Sequence, residues 1–184
     1  MKSKIIIITA LIMSIVVICT SCSSVTGVLN DSLNMLKKGD VEGFCKTLDI
    51  SSESVTDNII AYYKNLNEDK AEIVKKVYSY MTFTVSEKED TKDVLVLTLN
   101  CIFVRKLMDD VTIRVAVEGR DVTKIINTMI EDGTLEKNFM TGYSFDVTLK
   151  KYNDGYRIPY TSNANSQFYN AIYLLEFIRW ISNI

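Results

Sequence analysis

The sequence predicts an α+β domain in which N-terminal helices pack on a curved, mainly antiparallel sheet and a C-terminal helix closes the fold. Apolar residues recur every three or four positions as far as Tyr78 and every second position from Met81, which marks a change from helix to strand. Residues 165–184 return to a helical pattern with two charged residues. A chain of 184 residues, 47% hydrophobic and 24% charged, is typical of one domain with a proper core.

The N-terminal third predicts several short helices. Leu29, Leu33 and Leu36 lie one turn apart, and Gly39 is a typical helix end. Asp40 is a candidate N-cap for a second helix. A third helix restarts at Ser51 to Ser54, and a polar interruption at residues 67–70 separates it from a continuing helical pattern.

The rest of the chain alternates in the way of strands, with one helix inserted and one at the end. Val94 to Val104 carries apolar residues on both faces, which predicts a central strand covered on both sides. Residues 165–184 predict one helix packed on the sheet, with contact to a partner or a membrane surface as the alternative. The other predicted elements are strands at Met81–Val85, Val111–Val117 and Tyr143–Leu149, a helix at Asp121–Asp132, a turn at Asn153–Gly155 and a return strand from Tyr156.

Composition excludes several classes of function. The sequence has no histidine, so histidine-dependent nucleophile triads, Cys-His proteases and histidine-bearing zinc sites are excluded. Basic residues number 21 and acidic residues 23, and the basic ones are scattered, so no nucleic-acid partner is predicted. The sequence predicts no cofactor.

The first residues have the three parts of a secretory signal. Lys2 and Lys4 form a basic start, Ile5 to Thr20 is free of charge, and small residues follow. A spanning helix needs about 20 apolar residues, so an uncleaved transmembrane helix is the alternative to a removed signal.

The end of this segment resembles the lipobox of bacterial lipoproteins, in which small residues precede a lipidated cysteine. Thr20 and Ser21 match the two positions before Cys22, while Cys19 stands where an aliphatic residue is usual. The resemblance implies a signal at 1–21, a lipid on Cys22, a tether at 22–28 and a domain at 29–184 on the extracytoplasmic face of the membrane. An ordinary signal with incidental cysteines is the alternative.

Two further cysteines lie within the domain. Cys45 and Cys101 each fall on an apolar face, which favours two buried thiols. A disulfide between them is the alternative, because an exported protein meets an oxidising compartment.

The element order, the Leu36–Val41 helix break and the Val147–Ile158 hairpin segment resemble Gram-positive lipoproteins with a nuclear-transport-factor-2-like, cystatin-like domain. The resemblance covers about residues 29–160 and implies a cone-shaped fold. Because that fold hosts enzymes and binding modules alike, it does not decide the activity.

A non-catalytic binding domain is the first hypothesis for function, with a small ligand or an envelope protein as the partner. Phe83, Phe103, Tyr143 and Phe145 are the candidate pocket residues, although strand residues alternate in this way when they face a core. The ligand is not predicted.

A carboxylate-dependent enzyme of the same fold is the second hypothesis. Its candidate groups are Asp146 near Tyr143 and Glu118 near Arg120, although charged residues on the polar side of a strand are usually just solvated. The acidic residues at positions 109, 110, 118 and 121 lack the spacing of a calcium loop, so no metal site is predicted.

Overall fold

The computed structural model describes residues 24–49, 53–160 and 163–184, which form an α+β fold. Its helices in chain order are α1 Val25–Lys37, α2 Val41–Lys46, α3 Glu53–Lys64, α4 Glu68–Ser79, α5 Val104–Glu118, α6 Val122–Glu131, α7 Thr134–Phe139, α8 Ser166–Ile172 and α9 Leu174–Asn183. Its strands are β1 Thr82–Glu87, β2 Val94–Ile102, β3 Met140–Thr148, β4 Lys150–Tyr152 and β5 Gly155–Arg157. Within these ranges, no helix is long and apolar enough to cross a bilayer.

The predicted N-terminal helices are confirmed. Leu29, Leu33 and Leu36 are fully buried in α1, and Gly39 follows that helix at a φ of 79°. The Asp40 side chain accepts a hydrogen bond from the Gly43 N–H at 2.8 Å and caps α2.

Helix α1 begins earlier than the sequence predicted. Ser24 is its N-cap, and the Ser24 hydroxyl accepts a hydrogen bond from the Gly27 N–H at 3.0 Å. Residues 25–28 of the expected tether at 22–28 are therefore helical, because a serine cap five residues ahead of Leu29 starts the helix there.

Strands β1, β2 and β3 form an antiparallel sheet in that order. Leu97 on β2 pairs with Val85 on one side and Phe145 on the other, and Leu95, Leu97 and Leu99 are fully or almost fully buried. The opposite face is open, since Thr98 on it is exposed. The predicted central position of this strand is confirmed, but the prediction that it is covered on both faces was wrong, because Val94 and Val96 on the outer face are only half-buried.

The predicted strand at Val111–Val117 was also wrong, because these residues belong to α5. Alternating valines and isoleucine suggested a strand, but Val104, Leu107 and Val111 also have helical spacing and are the buried residues of this helix. Ile113 and Val117 are consequently 64% and 78% exposed.

The turn at Asn153–Gly155 is confirmed, but its strands β4 and β5 form a separate two-stranded sheet. The Tyr152 hydroxyl donates a hydrogen bond to the buried Asp49 carboxylate, and Lys150 lies 3.7 Å from the same group. These contacts attach the hairpin to the end of α2.

The predicted single helix at 165–184 is divided at Tyr173, whose φ of 53° is left-handed. Glycine is the usual residue at such a position, so the sequence contains no local signal for the break. The apolar residues of both pieces pack inward, with Phe168, Phe177, Ile178 and Ile181 fully buried. Helix α9 contacts α3, α4 and α5, which accounts for its apolar circumference.

Candidate functional site

A groove of about 510 Å³ opens between strand β3, the start of α5 and the end of α8. It is lined by Phe103, Arg105, Tyr143, Ser144, Phe145, Gln167, Asn170, Ala171 and Tyr173. Small-molecule sites have volumes of about 300–1,000 Å³ and combine apolar walls with a few polar groups. The groove has that size and that chemistry, and we call it the aromatic groove.

Three of the four predicted pocket residues line the aromatic groove. Tyr143 and Phe145 are two apart on β3 and so share a face of the sheet, with their ring centroids 6.3 Å apart. Phe103 stands between β2 and α5, where its N–H donates to the Phe139 carbonyl at 2.7 Å. The sequence identified these residues because aromatic side chains alternate along strands that border the core.

Phe83 does not line this groove. It lies on β1 opposite Leu99, and the whole of β2 separates it from β3. Its ring is half-buried against the core instead. The sequence pattern could not reveal this, because alternation gives the face of a strand and not the place of that strand in the sheet.

The break between α8 and α9 forms the third wall. The buried Tyr78 hydroxyl donates to the Ile172 carbonyl at 2.8 Å, and the Cys101 thiol contacts the Ala171 carbonyl at 3.7 Å. Both carbonyls belong to the last turn of α8, where backbone acceptors have no partner within the helix. Two side chains from α4 and β2 thus hold the α8 end in place, and Tyr173 projects from the break.

Arg105 is the only charged residue among the side chains that line the aromatic groove. It is exposed and has no ion pair with any residue that the structure describes. Sequence reasoning missed Arg105, Gln167, Asn170 and Tyr173. A charge in a first helical turn and polar residues near a helix end carry no signal until the fold brings them together.

A second groove, of about 250 Å³, lies on the other side of the same break and shares Asn170 and Tyr173. Its other lining residues include Phe44, Tyr160 and Tyr169, and its only charged one is Glu176. The Tyr160 and Tyr169 ring centroids are 4.4 Å apart, and burial raises the pKa of both phenols. We call it the tyrosine groove.

The two candidate catalytic carboxylates lie away from both grooves. Asp146 projects from the outer face of the sheet and pairs with Lys88, whereas Tyr143 lies on the inner face. Glu118 pairs with Arg120 at 3.2 Å at the exposed end of α5. Neither carboxylate lines either groove.

Asp110 and Asp121, two of the acidic residues between positions 109 and 121, have separate structural partners. Asp110 pairs with Arg114 at 2.7 Å, and Asp121 caps α6 through the Thr123 N–H at 2.8 Å. Hydrogen bonds from Thr123 lower the pKa of Asp121. Over residues 24–49, 53–160 and 163–184, no cluster of three or more cysteine, aspartate or glutamate side chains could hold a metal ion.

Cys45 and Cys101 are buried, unbonded thiols, in agreement with the favoured interpretation of the sequence. Burial raises the pKa of each thiol from 9.0 to about 12, so both are protonated at neutral pH. Cys22, the expected lipidation site, lies outside the described residues.

No protein-family model, curated protein or solved structure matches this chain.

Proposed function

We propose that this protein is a lipoprotein on the extracytoplasmic face of the bacterial membrane, anchored through Cys22, whose domain binds a small ligand without catalysing a reaction. The observation that carries the binding function is the aromatic groove. The sequence pattern of residues 1–22 supports the location. Acyl chains gain about 0.8 kcal/mol per buried methylene, so two or more of them hold a domain stably at a membrane.

Mass spectrometry of the N-terminal peptide from membranes of the expressing bacterium tests the anchor. We expect a mature protein that begins at acylated Cys22, and a Cys22→Ala variant without acyl groups. A Cys19→Ala variant is the matched control and keeps the lipid. An N-terminus at Met1 in the membrane fraction would contradict the proposal in favour of an uncleaved spanning segment.

The binding function predicts that a bulky residue in the aromatic groove excludes ligands. Gln167 is exposed on α8 and lines the groove, so Gln167→Trp should fill it without disturbing the core. Asn127→Trp places the same ring on exposed α6 as a control. In a thermal-shift screen of apolar and aromatic small molecules, we expect hits that stabilise the wild-type domain and Asn127→Trp but not Gln167→Trp. A set of hits unaffected by Gln167→Trp would contradict the assignment.

The nuclear-transport-factor-2-like resemblance is part of the same proposal. Its support is a groove lined by residues of strand β3 and of helices α5 and α8, since a cone-shaped fold of this kind would hold its pocket between a sheet and its helices. The extra helix break at Tyr173 would then be a local variation of that fold. An experimental structure of the mature domain, compared with members of that family, tests it.

A further inference from the structure

We infer that the aromatic groove selects ligands with an apolar, planar body and one anionic group, and that Arg105 is the residue that binds the anion. This inference rests on the proposed binding function and adds the class of ligand.

Arg105 differs from the other arginines of the sequence in its contacts. The sequence has five arginines, and the other four have contacts within the domain. Arg114, Arg120 and Arg157 form ion pairs, and Arg179 lies over the Tyr62 ring at 5.9 Å. Arg105 has no such contact with the described residues, so its guanidinium is available to a ligand. Planar guanidinium groups bind carboxylate, sulfonate and phosphate through paired hydrogen bonds.

The other residues that line the groove with Arg105 are uncharged. The walls next to it are Phe103, Tyr143 and Phe145, and no acidic side chain lines the groove. The aromatic rings offer apolar area to a flat molecule. An anion bound there meets one positive charge and no competing carboxylate.

Two amide side chains of α8 also line the groove. Gln167 and Asn170 are three residues apart on one helix, so both face the groove that they line. Each amide can donate as well as accept hydrogen bonds, which suits an oxygen-rich group beside Arg105. The groove therefore combines two aromatic residues of β3, Tyr143 and Phe145, with the polar side chains of Arg105 on α5 and of Gln167 and Asn170 on α8.

Two dyes with the same aromatic body separate these contributions. Anilinonaphthalene sulfonate is anionic, and N-phenylnaphthylamine is its neutral counterpart without the sulfonate. We expect both to bind the mature domain with a fluorescence increase, and Gln167→Trp to abolish both signals. Arg105→Gln should weaken the sulfonate by about five- to tenfold and leave the neutral dye unchanged.

Lys106→Gln is the matched control, because it removes one positive charge from the adjacent residue. Lys106 donates to the Asn138 carbonyl at 3.1 Å and does not line the groove, so the variant should bind both dyes as the wild type does. Added salt should weaken the sulfonate in the wild type and have no effect in Arg105→Gln.

Failure of the Arg105 assignment gives a different result from failure of the proposed binding function. Equal binding of the sulfonate by the wild type and Arg105→Gln would overturn the role of Arg105 and leave a groove for neutral ligands. If Lys106→Gln weakens binding of the sulfonate dye as much as Arg105→Gln does, the proposed role of Arg105 is also wrong. If neither dye binds, or if Gln167→Trp changes neither signal, the proposed binding site itself is wrong.

Discussion

The aromatic groove and the tyrosine groove lie on opposite sides of one helix break and differ in charge. Arg105 is the charged residue of the larger groove and Glu176 that of the smaller one. Both share Asn170 and Tyr173, so a single irregular residue supplies a wall to each. The break therefore contributes residues to both grooves, whereas Arg105 and Glu176 from separate helices give the grooves opposite charges.

Phe168 packs against one aromatic residue of each groove, and its removal should have the largest effect. The ring is fully buried, with its centroid 6.5 Å from that of Phe145 in one groove and 5.0 Å from that of Tyr169 in the other. We expect Phe168→Ala to lower the free energy of unfolding by about 3–5 kcal/mol in urea denaturation. Phe83→Ala, at a half-buried position, should cost clearly less. Similar losses at both positions would show that Phe168 is not central to the core.

Tyr78 supports the break from below. Tyr78→Phe leaves the buried Ile172 carbonyl without its donor, which should cost about 1–3 kcal/mol of unfolding free energy. Tyr62→Phe is the control, because the Tyr62 hydroxyl makes no hydrogen bond with the described residues while its ring still meets Arg179. A Tyr78→Phe protein as stable as Tyr62→Phe would argue against the hydrogen bond.

Tyr173 allows a test of the break itself. Tyr173→Gly and Tyr173→Ala both remove the ring, but only glycine adopts a φ of 53° without strain. The glycine variant should therefore be more stable than the alanine variant by about 1 kcal/mol in thermal or urea unfolding. In a continuous helix the order would reverse, since alanine is there favoured over glycine by about 1 kcal/mol. The sign alone separates the two structures.

One buried thiol lies near each groove, and the two report on their surroundings. Cys101 contacts the Ala171 carbonyl beneath the aromatic groove, and Cys45 is next in sequence to Phe44 of the tyrosine groove. Iodoacetamide should react slowly with both at pH 8, because burial raises each thiol pKa to about 12. Tyr78→Phe should speed the reaction of Cys101 more than that of Cys45. Rapid labelling of both in the wild type would contradict their burial.

The same pKa values predict how stability depends on pH. The folded state holds each thiol proton more tightly than the unfolded state, whose thiols ionise near pH 9. Their contribution is complete below pH 9 and is lost as the pH rises from about 9 to 12. Urea unfolding of Cys101→Ala across this range should fall less steeply with pH than that of the wild type. Parallel slopes would exclude the thiol as the cause.

Local patterns in the sequence predicted the parts of the fold that local forces determine. Leu29, Leu33 and Leu36 have the helical period of α1, and Asp40 is a recognisable N-cap of α2. The error in α5 arose because Val111 and Val115 satisfy a period of two as well as the helical spacing, and only packing against the core decides between them. The Tyr173 break depends on Tyr78 and Cys101, which are distant in sequence, so no local pattern announces it.

The candidate site divided in the same way. Phe103, Tyr143 and Phe145 were predictable as apolar residues next to the core. Arg105 was not predictable, because it lies just after the predicted strand Val94–Val104. Its position in the groove depends on the start of α5 at Val104. Polar groups of a binding site are placed by the whole fold, whereas its apolar wall is an extension of the core.

The Ser24 cap leaves a very short distance between Cys22 and the first helix of the domain. Helix α1 starts three residues after Cys22, and three extended residues span at most about 11 Å. For a lipid on Cys22, that distance allows no stalk. A Cys22 anchor would therefore keep the domain within reach of the headgroups, where it would meet molecules at the membrane surface.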